Sequence, residues 1–119
     1  RRPRTQSPLQ ALVLLNDPQF VEAARKLSER LLRECDVDAV VRRMFFEVLG
    51  RMPTDEEFVV LDDLFQTQRD YFVHHTDEAE LTFMTGDTPL DPDLPVADVA
   101  AGSVLASLLM NFEGFTRYP

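Results

Sequence analysis

The stretch Val96–Met110 constrains this chain more than any other. Val-Ala-Asp-Val-Ala-Ala-Gly-Ser-Val-Leu-Ala-Ser-Leu-Leu-Met is small or apolar almost throughout, with Asp98 its single charge. A helix that is apolar on every side has to be surrounded, so the rest of the chain is expected to wrap it. Ser103 and Ser107 then read as small residues that let neighbouring helices approach closely. No segment shows the alternation of a half-buried strand, so the fold class is all-α.

Start and stop signals divide the remainder into further helices. Ser7-Pro8-Leu9-Gln10 places a hydroxyl at the N-cap, proline at N1 and Gln at N3, predicting a short apolar helix over Pro8–Leu15. Asn16-Asp17-Pro18 ends it and starts a second, which runs to about Glu34. There Phe20, Val21, Ala24, Leu27, Leu31 and Leu32 form one face. Glu22, Arg25, Lys26, Glu29, Arg30 and Arg33 form the other, with Glu22–Lys26 and Glu29–Arg33 as expected pairs.

Asp36 or Asp38 opens a third helix whose stripe is Val37, Val40, Val41, Met44, Phe45, Val48 and Leu49, and Gly50 stands where a left-handed cap is wanted. The short corner Gly50-Arg51-Met52-Pro53 folds the chain back. Thr54-Asp55-Glu56-Glu57 is a capping box opening a fourth helix, which is expected to reach about His75. Asp77 is expected to cap a fifth, shorter helix through about Met84. Three prolines and a glycine in the eleven residues Thr85–Pro95 mark an irregular loop. The last helix is expected to end at Asn111, with Phe112 to Phe115 in a further turn that echoes the corner at Asn16. The expected architecture is a compact bundle of five or six helices, joined by short capped turns and one proline-rich loop. All of residues 1–119 form one domain.

Length and charge set bounds on function. A chain of 119 residues with 45% apolar content fills one core. The formal net charge of -9 opposes nucleic-acid phosphates, whose affinity for proteins comes from Lys and Arg. Arg1, Arg2 and Arg4 crowd the first four positions; they form either an exposed basic tail or a contact with carboxylates of this or a neighbouring domain. The longest apolar run, Ala11–Leu15, is far short of the roughly 20 residues of a membrane span. No leader opens the sequence, so any targeting signal is expected in a part of the protein outside it.

Residues with potential chemistry are few. Cys35 stands alone, which excludes an internal disulfide, a multi-cysteine metal site and covalent haem on this domain. Its neighbours Glu34 and Asp36 disfavour a thiolate. Asp70, His74 and Glu78 are spaced by four and are the candidate metal ligands, set against an ordinary solvated helix end that Thr76-Asp77 interrupts. His75 is no better placed. Asp87, Asp91 and Asp93 invite a calcium reading, but Pro89, Pro92 and Pro95 interrupt them and no glutamate closes the loop. Ser7, Ser28, Ser103 and Ser107 lie in no Gly-x-Ser-x-Gly turn. Met84 and Met110 read as core rather than as axial haem ligands. Phe72, Phe83, Met84, Phe112, Phe115 and Tyr118 would mark a docking patch if several were exposed together.

Arg4-Thr5-Gln6-Ser7-Pro8-Leu9-Gln10-Ala11-Leu12-Val13-Leu14-Leu15-Asn16-Asp17-Pro18-Gln19-Phe20-Val21 resembles the signature of a planctomycete-specific C-terminal domain of unknown function, found in large exported proteins with a cytochrome-c-like segment. The corner Phe45-Phe46-Glu47-Val48-Leu49-Gly50-Arg51-Met52-Pro53-Thr54 and the closing Leu108-Leu109-Met110-Asn111-Phe112-Glu113-Gly114-Phe115 extend the likeness to essentially the whole chain. The resemblance implies an exported, multidomain protein with this domain last, partnered by upstream domains of the same chain. Any haem would belong to one of those domains. It carries over no catalytic residues. The function expected is a structural or interaction module. The alternatives are an accessory domain completing an upstream, possibly oxidoreductase, active site, or a ligand-binding module.

Overall fold

The computed structural model describes residues 18–83 and 91–116, with side chains over 21–83 and 91–110. Five helices result: α1 (Pro18–Glu34), α2 (Val37–Leu49), α3 (Asp55–Val73), α4 (Thr76–Phe83) and α5 (Val96–Thr116). No strand occurs among the described residues. The expected leading helix, Pro8–Leu15, lies outside them, as do Ser7, Met84 and Asp87.

α5 is the axis of the bundle and packs against each of the other four helices. Its residues 99–107 are buried without interruption, as an all-apolar helix requires. α1 and α3 flank it and run antiparallel to it. Arg33 and Glu29 of α1 meet Asp91, Ser28 meets Val99, and Val21 clusters with Val104. Along α3, Arg69 meets Asp98, while Leu61 lies beside Leu108 and Leu109. The start of α1 and the start of α3 therefore share the C-terminal end of α5.

The α1–α5 seam is very close. A Cβ on Gly102 would stand 2.1 Å from Ser28 Oγ, and Ser28 Oγ donates to the Val99 carbonyl at 3.1 Å. Ser103 Oγ donates to the same carbonyl at 2.7 Å. Ser103 and Ser107 are buried, as close packing asks of small residues.

The polar face expected for α1 needs correction. Arg25 is fully buried and Glu29 nearly so, and Asp91 of the proline-rich loop meets Glu29 on that side. Glu29 accepts from the Asp91 N–H at 3.0 Å and pairs with Arg25 at 3.1 Å. Arg33 is consequently drawn to Asp91 at 2.6 Å instead of to Glu29. The Glu22–Lys26 pair forms as expected, at 3.8 Å.

Three boundaries also shift. α3 stops at Val73 with His74 as its cap. α4 starts at Thr76, ahead of Asp77, because the His75 carbonyl accepts the first helical bond from Ala79; Asp77 falls in the first turn, where the dipole favours it. α5 runs through Asn111 to Thr116 without a break. Asn16-Asp17 is followed by proline and Asn111 is not, so nothing there removes a backbone donor. The supposed echo is not a second corner.

Candidate docking surface

The residues singled out for metal binding do not converge. His74 and His75 are exposed, and each ring Nδ1–H donates to the carbonyl four residues earlier, Asp70 at 3.0 Å and Tyr71 at 2.7 Å. Glu78 accepts instead from the Tyr71 hydroxyl at 2.5 Å, which pushes the phenol pKa up. Among the described residues, no group of three His, Cys, Asp or Glu side chains is placed to hold a metal ion. Asp91 spends one carboxylate oxygen on Arg33 and the other on the Asp93 N–H at 2.9 Å. That Asx turn carries the chain into α5.

The Cys35 thiol is raised above its ordinary pKa, chiefly by burial, with Asp36 and Glu34 adding to it and Arg43 opposing. Glu34 and Asp36 act in the direction expected of them, but burial outweighs both. Sγ donates to the Leu31 carbonyl at 3.2 Å. Phe72 and Phe83 are core residues, so an exposed aromatic patch does not include them. Met110 is only partly buried, packed against the core.

The surface that does stand out is an apolar groove of about 400 Å³ at the C-terminal end of α5. Phe45, Leu61, Leu108 and Leu109 line it, Val60 stands at its edge, and Glu56 and Glu57 bring carboxylates to it. Phe45 and Leu109 are buried floor residues, whereas Val60 is 66% exposed. Val59, Phe46 and Met52 nearby in the sequence are also half or more exposed.

The corner between α2 and α3 builds one wall from the sequence upward. Gly50 caps α2 in the left-handed region at φ 79°, a conformation glycine adopts without Cβ strain, and its N–H donates to the Phe46 carbonyl at 2.8 Å. Arg51 is thereby aimed across the corner. Its guanidinium grips Glu57 bidentately, both contacts at 2.9 Å, and lies 5.0 Å from the centre of the Phe45 ring. Glu57 is at the same time the N3 residue of the capping box. The Thr54 N–H donates to it at 2.9 Å, and its own N–H donates to Thr54 Oγ1 at 3.1 Å. These charge-assisted bonds hold the Glu57 carboxyl down at about 2, Arg51 contributing most.

Glu57 is thus committed to holding the corner. Asp55 and Glu56, beside it, are exposed and form no ion pair among the described residues. Glu56 lines the groove and Asp55 precedes it in sequence, so one carboxylate on the rim and one beside it are left to meet a cation. The surface is not foreseen from the sequence, where Phe45 is placed on the inner stripe of its helix and the outer face of α3 is not considered. The signal was Phe58-Val59-Val60-Leu61, four apolar residues running around more than one face of a helix.

No described helix is long and apolar enough to cross a membrane. Comparison with known families matches residues 1–65 to the family described as Protein of unknown function (DUF1553), and the chain belongs to that family. The match takes in the Arg4–Val21 and Phe45–Thr54 motifs but stops within α3, short of the closing Leu108–Phe115 stretch. No curated protein and no solved structure matches the chain.

Proposed function

We propose that this member of the family is a non-catalytic interaction module of a larger, exported multidomain protein, and that it docks other parts of its own chain in the groove at the C-terminal end of α5. The groove carries the reading. Apolar side chains left uncovered at a helix junction, with acids only at the rim, match a surface that receives another apolar element. The described serines, histidines and cysteine are engaged with backbone carbonyls or packed between helices rather than gathered around a shared pocket. An active site needs that gathering.

The exported, planctomycete-type setting rests on the resemblance of the Arg4–Val21 and Phe45–Thr54 motifs. The net charge of -9 favours protein partners over nucleic acid. Haem, if the parent protein holds it, belongs to a domain that supplies its own Cys-x-x-Cys-His.

A photo-crosslinking residue at Val60 of the parent polypeptide tests the docking surface. Adducts are expected within the same polypeptide, outside α1–α5, and well above the yield from the same probe at Leu81, an exposed residue of α4. Equal yields from the two positions would contradict the proposal.

A further inference from the structure

We infer that the element seated in the groove is the leading segment Pro8–Leu15 of this chain, with Arg1, Arg2 and Arg4 directed to the carboxylates of Asp55 and Glu56. The inference deepens the docking reading and rests on it.

Position comes first. α1 runs antiparallel to α5, with Ser28 beside Val99 and Val21 clustered with Val104, so Pro18 lies beside the stretch of α5 that continues to the groove residues Leu108 and Leu109. Whatever precedes Pro18 therefore leaves the bundle near the groove. Length agrees. Neighbouring packed helices lie about 8–10 Å apart, so passing from α1 by way of α2 to α3, each packed on the next, takes roughly 16–20 Å. Eight helical residues cover about 12 Å, and the link Asn16-Asp17 adds about 7 Å.

Chemistry agrees as well. Pro-Leu-Gln-Ala-Leu-Val-Leu-Leu offers six apolar side chains besides its proline, which a groove of Phe45, Val60, Leu61, Leu108 and Leu109 would cover. The three arginines precede it by a few residues, and Glu56 on the rim and Asp55 next to it are exposed and in no ion pair among the described residues. A second copy of the chain is the rival occupant, but it would bring the same acidic rim and a further formal charge of -9. The family match adds that the segment, Phe45, Asp55, Glu56, Val60 and Leu61 all fall within residues 1–65.

Disulfide trapping in the full chain tests the inference. In a Cys35→Ser background, Val13→Cys is combined with Val60→Cys, or with Asp93→Cys as the control. Asp93 is exposed and stands just before α5, beside the Asp91 that pairs with Arg33 at the end of α1 remote from Pro18. Under mild oxidation at low protein concentration, the 13–60 pair is expected to close within one chain at least about tenfold faster than the 13–93 pair. Far-ultraviolet circular dichroism confirms that each variant is folded. Equal rates would overturn the inference, and so would 13–60 bonds forming only between chains, which would assign the groove to a second copy. If trapping fails while the probe at Val60 still labels residues outside the bundle, the occupant is wrong and the docking surface stands. If both fail, both readings fall.

Discussion

The two ends of α5 are packed by opposite rules. Toward its start, α1 approaches so closely that Gly102 has no room for a methyl group beside Ser28, and a buried Arg25–Glu29 pair is locked over the seam by the Asp91 N–H. Toward its finish, Phe45, Leu61, Leu108 and Leu109 surround unfilled space and Val60 faces solvent. The same axial helix is closed by small residues at one end and left open by large ones at the other. Dense interiors tolerate little change in volume, whereas a groove is built to accept added volume. The closed end is where stability should reside, and the open end is where function should.

Removing one partner of the buried pair attacks the closed end hardest. Arg25→Met leaves the buried Glu29 carboxylate with the Asp91 N–H as its remaining partner among the described residues, and a loss of about 3–5 kcal/mol is expected in urea unfolding. A loss no larger than that of a surface substitution would mean that the pair is not sealed from water. Gly102→Val is expected to cost about 1–3 kcal/mol by overpacking the seam, even though the helix loses a glycine. Ser28→Ala removes the nearest atom, so the two substitutions together should cost less than their sum. Strict additivity would show that the seam relaxes without that contact.

The smallest effect belongs to the open end. The Glu57 carboxyl is held at about 2, below its ordinary 4.5, in the folded chain. Its contribution is therefore present above about 4.5, and it is lost as the pH falls from there through about 2. The melting temperature of Glu57→Gln should lie slightly below that of the parent at pH 6, and the gap should shrink as the pH is lowered toward 2. A gap independent of pH would remove Arg51 and Thr54 from the cause.

Local signals made most of the fold legible. Thr54…Glu57 and Gly50 announced their caps, Pro18 the start of α1, and Val96–Met110 the axis. What failed were inferences that treat a helix in isolation. Arg25 and Glu29 look solvated on a helical wheel, yet both are buried, and Glu29 accepts from the Asp91 N–H of a distant segment. Asn111 looks like a stop, but without a following proline the helix continues. Asp70, His74 and Glu78 share a spacing, yet α3 ends at Val73 and Glu78 begins a different alignment in α4. The groove was least legible, because it arises where three helices fail to fill a junction, and no single helix carries that information.

Methyl-group nuclear Overhauser measurements on the dilute full chain test most directly whether the open end is an acceptor. Contacts from Val60, Leu61 and Leu108 to the methyl groups of Leu12, Val13 or Leu15 within the same chain are the expected result. Contacts confined to α2, α3 and α5, unchanged by Val13→Asp, would show a groove that receives nothing from this chain and would contradict the assignment of its occupant.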